Sequence, residues 1–325
     1  MSLNMFLLAI SEGMMWGMMA LGVYLTFRVL NFADLTVEGS VVLGMAVCLR
    51  LITEGFNPLL ATLFAVFAGM LAGLITGFFH TKLKIPPLLS GILTMTGLWS
   101  INLRVIGSGA LITIPPREFN NLMSGNALLT NVAEFLANLF GDTAVSRRAD
   151  IFAAIIIALI FAIIVIGLLK LFFNTEIGYA IRATGDNEPM VKAQGINTNV
   201  SKLIGLALGN GCVALAGALL AQSQRSANID MGVGAIVIGL AAVIIGEVFF
   251  RDKNNSRVFV AVIFGGVIFF IIRAFVLSLD FIDMNDFRLI ASLILAFVLS
   301  LPMIRSKLNI NLKKLAFGNS KGGGE

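Results

Sequence analysis

A small set of polar side chains lies inside otherwise apolar runs of this chain, and those side chains could handle a hydrogen-bonding solute. Asn31, Asp34 and Glu38 surround one polar break. Asn102 and Arg104 sit late in another apolar run. Asn210, Gln222 and Gln224 share a third, and Asp230 follows a second break. Glu247 and Arg273 lie deeper in the C-terminal runs. In hydrocarbon a charged side chain costs roughly 3 kcal/mol even on insertion scales, so each asks for a reason. Some can line a solute path; the amides Asn102, Gln222 and Gln224 donate and accept without burying a charge. A structural reading competes. Asp34 and Asp230 are placed to cap the helices that follow them, and Arg28–Asp34 or Arg225–Asp230 can pair across the bends.

Other chemistry is missing. No Gly-Lys dipeptide occurs, so a P-loop phosphate cradle is absent. The single histidine, His80, lies beside Lys82 at a run's end and reads as an interfacial polar residue. Cys48 and Cys212 sit in apolar runs as packing residues, with neither metal nor disulfide spacing. No acidic chain crosses the apolar runs, which argues against a proton-driven pump. The sequence therefore implies neither a catalytic residue nor a cofactor held by this chain.

The elements that must position these residues are membrane spans. Of the 325 residues 58% are hydrophobic and 13% charged, and mean hydropathy is +0.95. Soluble domains run near 45–50% and about 25%. The expected fold is an all-α integral membrane protein of about nine transmembrane helices, in two inverted-topology halves with short broken helices. The spans read as 5–27, 38–53, 58–79, 86–107, 151–173, 203–224, 232–250, 257–279 and 287–304. The second and seventh are short and glycine-rich, as broken or partly re-entrant spans are. The N-terminus lacks the positive region of a cleaved signal, so the first run reads as a retained span.

The whole of 1–325 reads as one transmembrane domain. Residues 1–107 form a first half, 108–150 an extracellular loop with an interfacial helix near Leu128–Phe140, and 174–202 a cytoplasmic loop. Residues 203–305 form a second half and 306–325 a cytoplasmic tail. Lys170, Arg182, Lys192 and Lys202 place the long loop inside. Alternation then puts Lys82, Lys84 and Arg251 inside and the N-terminus outside; Arg147 and Arg148 fall on the wrong side. The net charge of +5 follows from this orientation rather than from nucleic-acid binding.

Residues 20–47 and 217–243 echo each other. In each, a span ends near an arginine, a break carries Asn and Asp, and a glycine-rich short span follows. On the charge-derived topology they point opposite ways, the inverted-repeat design of transporters that alternate access.

The stretch EIGYAIRATGDNEPMVKAQGINTN, 176–199, is too polar for hydrocarbon. A short helix is expected over Thr184–Gln194. Asp186 or Asn187 would cap it, Pro189 would lie in its first turn, and Gly195 would close it. An ordinary solvated connection would look similar, but such a helix suits docking of a soluble partner.

IRATGDNEPMVKAQGIN, 181–197, resembles the cytoplasmic coupling region of bacterial ABC importer permeases of the branched-chain amino acid and ribose type. Residues 31–47, 82–107 and 231–247 resemble a narrower group of permeases, some assigned to aromatic amino-acid uptake; Asn31–Asp34 departs from that group's pattern. The resemblance covers about residues 12–305. It implies a homodimeric or pseudo-dimeric permease in the bacterial cytoplasmic membrane, importing a small polar nutrient, most simply an amino acid. ATP and magnesium would be bound by partner ATPase subunits, and an extracellular solute-binding lipoprotein would deliver the solute. Coupling to the ATPase would fall to Arg182, Gly185, Asp186, Asn187, Gly195 and Asn197. The path would be lined from Asn31, Asp34, Glu38, Asn102, Asn210, Gln222, Gln224 and Asp230. An ion-driven secondary transporter is the alternative, and a membrane scaffold a second.

Overall fold

The computed structural model describes residues 3–107, 110–114, 145–249 and 255–278, with isolated positions 122, 289, 292, 293 and 296. Helix α1 (Leu3–Val23) continues into a π-helical stretch, Tyr24–Val29. Then come α2 (Thr36–Thr53), α3 (Pro58–Thr81), α4 (Pro87–Ile106) and α5 (Val145–Phe173). Two short helices follow, α6 (Glu176–Asp186) and α7 (Glu188–Ala193). The long α8 (Thr198–Gln224) leads to a 3-10 turn, Ile229–Gly232, then α9 (Ala235–Phe249) and α10 (Asn255–Leu277). Strands β1 (Leu111–Thr113) and β2 (Ser226–Asn228) pair antiparallel, with Ile112 opposite Ala227.

Among the described residues, 8 stretches are long and apolar enough to cross a bilayer. They match the first eight expected spans. The ninth, 287–304, and the interfacial helix near Leu128–Phe140 lie outside the described residues. The architecture is an all-α membrane protein, with the two-stranded pairing as a small addition.

The sequence explains the packing. Helix α8 is the central post, packed by α1, α2 and α3. Contact is backbone to backbone: a Cβ on Gly44 would overlap the Ala214 carbonyl, and one on Gly217 the Val41 carbonyl. Gly73 of α3 meets the Leu206 carbonyl in the same way. Small residues permit this approach, and dispersion and polar contacts then hold helices that lipid alone would not drive together. The outer faces of α3 and α5 carry exposed Leu63, Phe67, Leu71, Ile163 and Leu168, an apolar surface suited to lipid.

Both breaks reach the middle of the bundle. The first runs from Leu30 to Leu35. Asp34 is fully buried and accepts hydrogen bonds from the Thr36 backbone N–H (2.9 Å) and from Asn210 Nδ2 (2.7 Å). Asn210 lies near the midpoint of α8, so α2 starts at mid-depth. Its far end is fixed by Gln222 Nε2, which donates to Cys48 Sγ (3.2 Å) and Thr62 Oγ1 (2.8 Å). The second break descends from the opposite end. Gly234 N–H donates to Glu38 Oε1 at 3.0 Å, so α9 also starts beside the first turn of α2. Its 15 residues span only about 22 Å, short of a hydrocarbon core of about 30 Å. Its far end is held by Arg28, whose Nε and Nη2 donate to the two carboxylate oxygens of Glu247 at 2.7 Å each.

Two expected ion pairs are therefore corrected. Arg28 does not meet Asp34, because Asp34 is drawn inside by Asn210 while the Arg28 side chain is 62% exposed and meets Glu247. Arg225 pairs with Asp150 at 3.3 Å, not with Asp230. Asp230 does not cap α9: it lies inside the 3-10 turn Ile229–Gly232, where the Asn228 side chain accepts its backbone N–H at 2.9 Å, and it is Glu38 that accepts the Gly234 N–H before α9. Asp34 does play the helix-starting part expected of it, through Thr36.

The expected helix over Thr184–Gln194 is also corrected. Asn187, at φ −155°, divides it into α6 and α7. Asn187 Oδ1 accepts the Met190 N–H at 3.1 Å, Pro189 lies in the first turn of α7, and Gly195 takes φ +81° just past its end. These capping expectations hold; the helix they were to bound is shorter.

Candidate functional site

Three connections that charge counting puts on one side meet in space. Leu30, Asn31 and Phe32 of the first break, His80 and Pro87 around the α3–α4 turn, and Thr184–Pro189 line one groove of about 380 Å³ with Lys202. At its centre Glu188 accepts Lys202 Nζ at 2.8 and 2.9 Å, Lys192 Nζ at 2.9 Å and Thr198 Oγ1 at 3.2 Å. Burial pushes the Glu188 carboxyl up, but the bonds from Lys202, Lys192 and Thr198 outweigh it and hold it at about 2. His80 bridges the same region: Lys202 donates to Nε2 at 3.2 Å, which leaves Nδ1–H to donate to the Ile85 carbonyl at 2.8 Å. Phe32 packs edge-on against its ring at 5.1 Å.

The coupling candidates divide by what they touch. Asp186 and Asn187 are exposed on the groove. Gly185 is half-buried beside them, and a Cβ there would overlap the Val29 carbonyl oxygen and reach Leu30. The α6–α7 junction thus sits directly on the first break. Arg182 points elsewhere: Nη2 donates to the Phe173 carbonyl at 3.0 Å, and the guanidinium stacks over the Phe173 ring at 4.9 Å. Desolvation lowers its pKa. Gly195 and Asn197 shape the chain, the latter capping α8 by accepting the Asn199 N–H at 3.1 Å.

The path candidates divide too. Asp34 and Asn210 are locked together in the interior, with Ser40 Oγ donating to Asn210 Oδ1 at 2.7 Å. Gln222 is enclosed at the far end, where Oε1 also accepts the Leu122 N–H at 3.2 Å. Asn31, Gln224 and Asp230 are exposed at the two ends. Asn31 takes φ +52°, the left-handed turn that asparagine tolerates. Glu38 and Asn102 line a cavity at mid-depth, with Gly39, Val42, Met95, Thr96, Trp99, Ile229, Gly232 and Val233 around about 420 Å³.

Sequence reasoning missed two arrangements. One is the hydroxyl relay Thr36–Thr76–Thr94, at 2.6 and 2.9 Å, which joins α2, α3 and α4. Threonines at helix-interior spacing carry no signal of it. The other is Glu188, which the sequence marks only as part of a helix start. Its spacing of four to Lys192 was the available clue.

No group of three His, Cys, Asp or Glu side chains able to hold a metal exists among the described residues. Helices broken at mid-depth from both ends, joined to a polar junction on one face, define a multi-pass membrane transport component. The chain belongs to the family described as branched-chain amino acid transport system / permease component, whose model matches residues 5–303. It is 35% identical over 304 residues to a tyrosine transport system permease protein of Clostridioides difficile, covering 94% of this chain and 92% of that one. It is 30% identical over 301 residues to an uncharacterised protein of Rickettsia prowazekii, covering 92% and 98%. An autoinducer 2 import system permease of Yersinia pseudotuberculosis is 23% identical over 251 residues, covering 76% of this chain and 63% of that one. The chain is the permease component of an ATP-binding-cassette transport system, and not an enzyme.

Proposed function

We propose that this chain is the membrane permease of a bacterial importer for an amino acid, driven by ATP hydrolysed on partner subunits. The observation that carries this reading is the seat of the α6–α7 junction. Gly185 lies against Val29 and Leu30, so a force applied at Asp186, Asn187 and Pro189 reaches the first break, and through Asp34 the start of α2. A docking ATPase that shifts this junction would tilt the half-helices that meet at mid-depth. The inverted placement of the two breaks supports alternation between outward- and inward-facing states. ATP and magnesium belong to the ATPase on this reading, an extracellular binding protein delivers the solute, and two copies of this chain form the membrane unit. The bacterial cytoplasmic membrane is the matching location. The amino-acid class draws on the tyrosine transport relative.

The test is purification of the chain in detergent from its own membrane, followed by reconstitution in proteoliposomes. Co-purification of an ATPase and uptake of radiolabelled amino acid that requires ATP would support the reading. Uptake driven by an ion gradient without ATP would overturn it in favour of a secondary transporter.

A further inference from the structure

The cavity at mid-depth has a chemistry of its own. Its lining is mostly apolar: Val42, Met95, Trp99, Ile229 and Val233, with Trp99 presenting an exposed ring face. Three polar side chains interrupt that lining: Thr96, whose hydroxyl donates to the Leu93 carbonyl of its own helix at 2.9 Å, and the acceptors Glu38 and Asn102. Glu38 is half-buried and already receives the Gly234 N–H at the start of α9. Asn102 is 1% exposed and lines the same cavity. Its Nδ2 donates to the Gly39 carbonyl at 3.0 Å, while its Oδ1 is buried with no hydrogen-bond partner. A buried acceptor without a donor costs free energy unless a partner arrives. No basic side chain lines the cavity, so a ligand supplying N–H donors and positive charge would satisfy both acceptors. The volume of about 420 Å³ lies within the roughly 300–1,000 Å³ of small-molecule sites.

We propose that this cavity is a subsite for the ammonium end and the apolar or aromatic side chain of an amino-acid solute, whose carboxylate is left outside this lining. The ammonium group sits between Glu38 and Asn102 Oδ1, and the side chain lies against Trp99 and Met95. The proposal rests on the amino-acid permease reading above and adds to it a position and a polarity. The site is built where the starts of α2 and α9 meet, so the same solute that fills it contacts both half-helices. Movement of either helix by the junction at Gly185 then reshapes it.

The test uses the full transporter, this chain with its co-purified ATPase, in lipid nanodiscs. Thr96 is exposed and lines the cavity, so T96C provides a thiol for maleimide labelling, with the unsubstituted protein as background. L-tyrosine is expected to slow labelling severalfold, and 3-(4-hydroxyphenyl)propionate, which lacks the amine, to leave it nearly unchanged. Adding N102L should raise the protecting concentration about tenfold, the scale of one charge-assisted hydrogen bond. Adding W99A, at a residue 44% exposed, should also raise the protecting concentration of L-tyrosine severalfold, and protection unchanged by W99A would overturn the placement of the solute side chain. Equal protection by both molecules would overturn the ammonium assignment. No protection by L-tyrosine or L-leucine, in a preparation with intact ATP-driven amino-acid uptake, would overturn the site and leave the permease reading standing. A preparation that moves no amino acid with ATP would overturn both.

Discussion

At the scale of single residues, the structure separates positions that look alike in sequence. Asn31, Asn102 and Asn210 all interrupt apolar runs, yet one is an exposed left-handed turn, one lines a cavity and one is enclosed. Sequence could show that each was costly, but not which neighbour met the cost, because the partners lie far along the chain. Gly185 is the sharper case. It reads as a turn residue, but its requirement is steric. Gly185→Ala should force about 1–3 kcal/mol of local repacking against Val29 and Leu30. We expect it to cut ATP-driven uptake while the protein still inserts. Gly167→Ala is the control, since a Cβ there meets nothing within 4 Å. Equal uptake by the two variants would refute the steric account.

Glu188 gives a pH prediction. Its folded carboxyl is held at about 2 against an ordinary value of 4.5. A depressed carboxyl stabilises the fold fully above its unfolded value and loses that contribution as pH falls towards the folded one. The thermal stability gap between the wild type and Glu188→Gln should therefore be constant from neutral pH to about 5 and close between roughly 4.5 and 2. A gap that instead grew with acid would show the sign to be wrong. Because Glu188 is partly exposed, the gap itself should be modest.

At the scale of elements, eight of the expected spans were legible because about 20 apolar residues leave little alternative in a bilayer. The breaks were legible as polarity, and their mid-depth meeting was not. It depends on Asp34 finding Asn210 and Glu38 finding Gly234, contacts that hydropathy does not encode. The α6–α7 division was missed for a local reason: Asn187 serves both as the end of one helix and as the cap of the next. The Arg28–Glu247 pair holds the far end of α9 to the end of the first span. With side chains 62% and 30% exposed, it is worth under about 1 kcal/mol of stability. Glu247→Ala should therefore leave the melting temperature nearly unchanged. If the pair exists only in one state of the cycle, the variant should change the uptake rate, and Arg28→Glu with Glu247→Arg should restore it. An unchanged rate would make the pair a passive contact.

At the scale of the whole molecule, the face on which the groove lies was recoverable from the basic residues alone. Charge alternation puts Lys82, Lys84, Arg182, Lys192 and Lys202 on one side, and the connections that carry them converge on the groove. The mid-depth cavity was not recoverable, since its walls come from α2, α4 and the second break, far apart in sequence. Native mass spectrometry of the detergent-solubilised transporter should show two copies of this chain with the ATPase. One copy alone would require a different permease partner.

The Asp34–Asn210 contact also has a consequence for biosynthesis. The two residues are 176 positions apart. At roughly 5–20 residues per second, about 10–35 s pass between the emergence of one and of the other from the ribosome. Throughout that interval the nascent N-terminal half holds a carboxyl group at membrane depth with its amide partner not yet made. A chain stopped before α8 should be cleared by membrane quality control, and one stopped just beyond it should persist.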